Sequence, residues 1–347
     1  MKQIYSVIIV LFYCLFNLNA QTVEIVTGLS GPRGMVIVGN ELYFCELFKI
    51  SKIDLNETIP TPTSVVTDVI TPESIAQSGN EFYFTEYGGN KISKVDITAA
   101  TPTATTVLSG LNGPTGILFN GNDLYFAQSL AGKVSKIDIT ATTPTVVDVV
   151  TGLNGPTGIL LIGNHLYITE VYGGKISKID ITDTTPTATD VVTGLVAPRG
   201  IAFIGNDLYI AEFGANQISK IDITATTPIP TDVVTDLNGP QGLTINGSDL
   251  YMSTSGGGKI LKLDVTTLST GNPQLMSSIH LYPNPSKSVI QITGLTQTEN
   301  YEIYNILGER VMSGSISNTE KLFINTLENG LYVLKLEKGD TMKFIKK

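Results

Sequence analysis

Tryptophan is missing from this 347-residue chain, and histidine and cysteine number only two each. Each shortage closes a route. A zinc centre, built from several nitrogen and sulfur ligands, lacks the material when the donors are His165, His280 and so few thiols. A Ser-His-Asp triad needs an imidazole beside its serine, and neither histidine falls in the loops singled out below. A sugar platform of stacked rings would have to rest on tyrosines such as Tyr87 and Tyr172. Long apolar runs are equally scarce. The one prominent run, Ile4 to Phe16, follows Lys2 and precedes "NLNA", the order of a cleavable secretory signal over residues 1–20. It is too short to cross a bilayer, and Cys14 lies inside it, where a lipoprotein cysteine does not belong. The mature chain is then expected to start near Gln21 with Cys45 alone, which excludes an intramolecular disulfide and leaves stability to packing.

Charge is sparse and uneven. Residues 21–274 hold 13 Lys and Arg against 24 Asp and Glu, whereas the chain from 275 onward holds 8 against 7. An acidic body repels phosphate backbones, so nucleic acid and anionic membrane surfaces are not expected partners. Low charge density, many Thr and Ile, and Gly or Pro at regular intervals point to an all-β globular chain, expected to be a monomer without a transmembrane segment.

What the sequence does have is repetition. Taking the "LY" or "FY" dipeptide as marker, Leu42, Phe82, Leu124, Leu166, Leu208 and Leu250 are separated by 40, 42, 42, 42 and 42 residues. A period near 40 that holds several short strands marks a propeller blade. The one short interval comes from the loop between Glu46 and Lys49, two residues shorter than that between Glu86 and Lys91. Within one unit, "PTGILLI" reads as an inner strand, Gly163-Asn164 as a tight hairpin turn, and "HLYITE", "KISKIDI" and "ATDVVTG" as three further strands. Six such units over residues 21–274 predict a six-bladed β-propeller. The sixth unit lacks its fourth strand, and "TVEIVTGL" at 22–29 has no blade of its own. The expectation is that this N-terminal strand completes the last blade near Leu261 and so removes the open sheet edges.

Ser-Lys-aliphatic-Asp recurs at Ser51–Asp54, Ser93–Asp96, Ser135–Asp138, Ser177–Asp180 and Ser219–Asp222, and as Leu261–Asp264. A residue present in every unit is expected to hold blades together, because a unique site must break the symmetry. Cys45, aligned with Thr85, Ala127, Thr169, Ala211 and Ser253, reads as one more small packing residue.

Two rings break the symmetry. The x of "GPxG" and its equivalents is Arg33, Glu73, Thr115, Thr157, Arg199 and Gln241; the residue ending each second strand is Glu46, Glu86, Gln128, Glu170, Glu212 and Thr254. In a meander both positions fall at one end of the channel, which makes that mouth the candidate ligand site. Alternatively, Arg33 and Arg199 simply neutralise Glu46 and Glu212 beside them. Four carboxylates near one mouth also suit a hard cation such as Ca²⁺, although no Asp-x-Asp-x-Asp loop accompanies them. "GGGK" at 256–259 is followed by Ile260 and not by Ser or Thr, so it is no phosphate loop.

From about residue 279 the text changes. Seven short strand candidates bounded by turns fit a small Ig-like β-sandwich over 279–347. "LYPNPS" at 281–286, "ILGERV" at 306–311, "GLYVLKL" at 330–336 and the basic ending "KFIKK" resemble the type A C-terminal sorting domain of the type IX secretion system of Bacteroidetes. That resemblance implies the secretion machinery as a partner and passage across the outer membrane, followed by attachment to the cell surface or release.

The pattern "PTGI…LYITEVYGGKISKID" resembles the virginiamycin B lyase group of propellers and, more loosely, NHL-repeat and gluconolactonase-like proteins. Glu170 and its equivalents match the Glu of that group's second-strand motif. The group implies a catalytic His at a "PxG" position, and none of the six is His, so proton abstraction lacks its base. Gluconolactonase-like members imply a Glu, Asn and Asp metal cluster that has no counterpart among these motifs. The expected function is therefore a secreted or surface-attached binding module for an extracellular glycan, peptide or small molecule, and the alternative is a hydrolase or lyase that uses the carboxylate ring.

Overall fold

The computed structural model describes residues 22–268, 280–293, 295, 298–305, 309–318, 320–337 and 341–347. The secretory signal expected over 1–20 and the junction at 269–279 lie outside the described residues. Two compact units emerge, one ending before and one following that junction.

The first unit is six four-stranded antiparallel sheets. Blade 4 is typical: Pro156–Ile162, His165–Glu170, Lys175–Asp180 and Thr189–Thr193 follow one another from the channel outward. The first hairpin turns at Gly163, whose φ of 58° is the left-handed conformation that a Cβ disfavours; Gly39, Gly79, Gly121, Gly205 and Gly247 repeat it. The second strand carries the core. Leu166 and Ile168 are fully buried, as are Ile176 on the third strand and their counterparts Leu124, Phe126 and Val134 in blade 3. Each side chain of this kind withdraws enough apolar area from water to contribute about 1.5–3 kcal/mol.

The last blade is assembled from both ends of the unit. Val23–Val26 pairs with Lys259–Asp264, setting Val23 against Lys262, Glu24 against Leu261 and Val26 against Ile260. The N-terminal strand thus supplies the fourth strand that the sixth repeat lacks. One part of the expectation needs correcting. Among the described residues no sheet closes on itself or bonds edge to edge with the next, so the outer strand of every blade keeps an open edge. Closure is achieved by packing inner strands side by side, because blades radiate from the channel and their outer edges diverge.

That packing explains the second Gly of each "GPxG". A Cβ on Gly34, Gly116, Gly158, Gly200 or Gly242 would fall under 3.0 Å from the backbone carbonyl oxygen of Glu73, Thr157, Arg199, Gln241 or Arg33, each in the following blade. The last of these is the seam, where blade 6 meets blade 1. Hydroxyls aligned with Cys45 tighten the same contacts: Thr85 donates to the carbonyl of Thr115 at 2.5 Å, Thr169 to that of Arg199 at 2.7 Å, and Ser253 to that of Arg33 at 2.7 Å. Cys45 itself is fully buried, and burial pushes its thiol far above the ordinary range.

Among its described residues the second unit is a sandwich of seven strands. His280–Tyr282, Val289–Thr293 and Lys321–Phe323 form one sheet; Arg310–Ile316, Glu299–Tyr304, Gly330–Leu336 and Thr341–Lys346 form the other. Ile290, Ile292, Ile303, Leu334 and Phe344 are fully buried between them. Two of its sequence motifs meet here. Within "LYPNPS", the Asn284 side chain accepts from the Ile345 backbone N–H at 3.0 Å, and Ser286 exchanges backbone bonds with Ile345 and Lys347 at 2.9 Å each. The Asn-Pro-Ser turn thereby fastens the C-terminal strand.

Close inner packing predicts a strong response to one methyl group. Gly200→Ala would drive a Cβ into the Gln241 carbonyl and the Leu243 amide, and the urea midpoint of the mature protein should fall by the equivalent of about 1–3 kcal/mol. An unchanged midpoint would mean that the inner strands are not in contact at this level.

Candidate functional site

The six inner strands enclose a channel of about 470 Å³, lined near one end by Arg33, Glu73, Thr115, Thr157, Arg199 and Gln241. All six stand one residue before the tight inter-blade position, a Gly in five blades and Ser74 in blade 2. The constraint on that backbone holds their side chains at the channel. Thr115 and Thr157 spend their hydroxyls on the next blade, donating to the carbonyls of Pro156 at 3.0 Å and Pro198 at 3.1 Å. The other four form a polar group across the channel.

Arg33 forms an ion pair with Glu73 in the adjacent blade. Arg199 donates to the side-chain carbonyl of Gln241 at 3.1 Å and lies 4.3 Å above the Phe213 ring. Gln241 is anchored in turn to the Ser255 hydroxyl at 3.2 Å. Burial pushes the Glu73 carboxyl up from its ordinary value, and the positive charges of Arg33 and Arg199 oppose that rise. Burial likewise lowers the Arg199 guanidinium from its ordinary value; Glu73 counters the shift and Arg33 adds to it. Neutralisation of Glu46 and Glu212 by the two arginines, expected from their places in the same blades, is not what the structure shows. First-ring residues are neighbours around the channel, so Arg33 reaches Glu73 across a blade boundary.

The second ring is in a different environment. Glu46, Glu86, Gln128, Glu170, Glu212 and Thr254 are all buried, and none lines the channel. Each carboxylate is a clasp. Glu86 accepts from the Ile70 backbone N–H at 2.8 Å and from the Ser93 hydroxyl at 2.5 Å, with Lys91 at 3.2 Å. Glu46 repeats this with Ser30, Ser51 and Lys49, and Glu170 with Asn154, Ser177 and Lys175. Gln128 substitutes an amide, bonding the Asn112 N–H at 3.1 Å and Ser135 at 3.0 Å. Glu212 holds the Val196 N–H at 2.8 Å and takes its second bond from Gln217, which leaves the buried Ser219 hydroxyl unpaired.

These clasps explain the repeated motif. In blades 1, 2 and 4 the serine binds the Glu. In five blades the lysine pairs with the acid opening the second strand, as Lys136 does with Asp123 at 2.7 Å and Lys220 with Asp207 at 2.6 Å; blade 4 has His165 in the acid's place. From Asp96 to Asp264, the aspartate caps the following turn through a threonine two residues on; Asp180 accepts from both the backbone and the hydroxyl of Thr182, bonds that hold its carboxyl below the ordinary range. Blade 6 loses clasp and serine together, with Thr254 and Leu261 in their places.

As a Ca²⁺ site the second ring does not fit. Its four carboxylates sit in four separate blades with their oxygens already taken, and among the described residues no group of three or more metal-ligating side chains occurs. His165 is exposed beside the Gly163 turn, at the end of the hairpin opposite Glu170. "GGGK" is the turn between Asp249–Thr254 and Lys259–Asp264, and Lys259 pairs with Glu24 on the closing strand. Around the mouth, Phe48, Ile70, Leu130, Tyr172 and Val196 are exposed apolar residues in the loops that join second to third strands and one blade to the next. Sequence reasoning found Tyr172 among these. The others carried no signal, because their loops differ from blade to blade.

Residues 280–347 match the family described as Secretion system C-terminal sorting domain. This implies export by the type IX secretion route and an interaction with its machinery. The propeller is similar to solved structures of virginiamycin B lyase from Staphylococcus aureus (20% identity, TM-score 0.53, covering 70% of this chain and 98% of that one). It is similar also to PQQ-bound aldose sugar dehydrogenase from Streptomyces coelicolor (17% identity, TM-score 0.54, covering 71% and 98%), and to a structural-genomics protein designated a gluconolactonase (10% identity, TM-score 0.58, covering 72% and 93%). At such identities the likeness is one of fold. No curated protein matches the chain. Among the described residues no helix is long and apolar enough to cross a membrane.

If the second ring is a set of clasps, Glu86→Ala strands the Ile70 N–H and the Ser93 hydroxyl in the interior. Stability measured by urea unfolding should drop by about 1–3 kcal/mol. No loss would return this carboxylate to the list of groups free for a ligand.

Proposed function

We propose that this chain is an exported β-propeller that binds a small extracellular ligand at the channel mouth through Arg33, Glu73, Arg199 and Gln241. A secretory signal at residues 1–20 would take it out of the cytoplasm, and the sorting domain would pass it across the outer membrane of a member of the Bacteroidetes, to remain at the cell surface or be released. One observation carries the binding reading. The residues that repeat are consumed in holding the blades, while the residues that differ line the channel. A volume of about 470 Å³ lies in the range of small-molecule sites.

Binding is favoured over turnover because the groups that would do acid-base work are engaged elsewhere. Glu46, Glu86, Glu170 and Glu212 are satisfied inside their blades, and among the described residues no histidine lines the channel. Glu73 is the single carboxylate there, and it is paired with Arg33.

The site is tested by screening the mature protein against a glycan and metabolite panel by calorimetry and repeating each hit with Thr157→Tyr, which places a ring in the channel. Affinity should fall at least about ten-fold in a variant that still folds, as expected when a ligand loses its room, even where loss of the Thr157–Pro198 bond lowers its melting temperature. Undiminished binding by a folded variant would remove the mouth from consideration. The route is tested separately: deleting residues 279–347 should leave the propeller folded, with the native melting profile, but held in the periplasm. Normal delivery of the truncated protein would contradict the role given to the tail.

A further inference from the structure

The channel holds three charged side chains, Arg33, Glu73 and Arg199, in a unit where acids far outnumber bases. Arg33 and Glu73 neutralise each other. Arg199 donates its one hydrogen bond to a neutral amide, that of Gln241, so a positive charge is left over. The Nε atoms of both arginines are buried without a hydrogen-bond partner. A buried donor left unmade is costly, but neither Nε is open to the channel; the second Nη group of each arginine is neither bonded nor buried, and offers its N–H donors there. A guanidinium edge offers parallel N–H groups with the spacing of a carboxylate's two oxygens. The Phe213 ring beneath Arg199 holds the guanidinium plane in place before any ligand arrives.

We propose that the mouth recognises a small monocarboxylate, whose single negative charge balances Arg199 and whose oxygens accept from the unbonded Nη N–H groups of Arg199 and Arg33. This rests on the reading of the channel mouth as the binding site and adds the chemical class of what binds. A monoanion fits better than a phosphate dianion, because Glu73 leaves one net positive charge and repels a second negative one.

The experiment follows the Nε–H resonances of Arg33 and Arg199 by NMR in the mature protein during titration with galacturonate. Galactose serves as the counterpart without the carboxylate, and inorganic phosphate and sodium chloride as other anions at matched ionic strength. Galacturonate is expected to move both resonances saturably, galactose and chloride are not, and Arg199→Gln should weaken the response at least about ten-fold with melting unchanged. Should Arg199→Gln fail to fold, Arg33→Gln provides the same comparison. Resonances that galactose moves as far as galacturonate, or that galacturonate moves no further than chloride, would overturn the carboxylate assignment. Tighter binding of phosphate would overturn it in favour of a dianion. A neutral panel ligand that binds and is expelled by Thr157→Tyr would leave the mouth reading standing with the carboxylate claim lost. Ligands that bind that variant undiminished would take the mouth reading with them.

Discussion

The inner strands of neighbouring blades approach so closely that, in five of the six blades, only a hydrogen fits where a Cβ would be. Gly200 against the carbonyl of Gln241, and Gly242 against that of Arg33, are two examples. This contact sets the width of the channel. It also fixes the residue just before each glycine, since its carbonyl is held against the preceding blade and its side chain is left at the channel. A packing requirement of the fold therefore creates six addresses at which sequence is free to vary, and Arg33, Glu73, Arg199 and Gln241 occupy four of them.

The repeated residues answer a different need. A blade's second and third strands are buried on both faces, and the loops at the mouth must be tied down without a core of their own. The Glu-Ser clasp does this by bonding the backbone of the loop that enters the blade, as Glu86 does for Ile70. Its partners change together: where Thr254 replaces Glu, Leu261 replaces Ser, and where Gln128 replaces Glu, Ser135 donates instead to Asp148 at 2.8 Å. Coordinated replacement within one chain identifies these polar groups as parts of one device, since a buried carboxylate without its donors would be worse than an apolar substitute.

Much of this was legible in the sequence. The period of 42, the Gly-Asn turns and the missing fourth strand of the last repeat led to four strands per blade, six blades and the pairing of the N-terminal strand near Leu261, where the structure sets Glu24 against Leu261 and Val23 against Lys262. The GPxG positions led to the channel lining. The direction of the second ring was not legible. Both rings lie at strand ends of the same edge, but a strand-end side chain turns to whichever donors are nearest, and for Glu46 these are the N–H of Ser30 and the hydroxyl of Ser51, one of them 16 residues away. Nor could the sequence pair Arg33 with Glu73. In one repeat Arg33 is closer to Glu46, and only the curvature of the ring makes residues 40 apart into neighbours.

The account stands on the propeller being one closed body, with its seam as sound as any other boundary between blades. Native-state hydrogen exchange resolved by residue tests this most directly. In a closed ring, amides of Val26 on the closing strand, of Gly242 at the seam, and of Ile176 in the middle of blade 4 exchange with one common free energy, equal to that of global unfolding. Val26 and Gly242 exchanging far faster than Ile176 would mean that the ring opens at its seam, and the channel and the residues assigned to it would lose their basis.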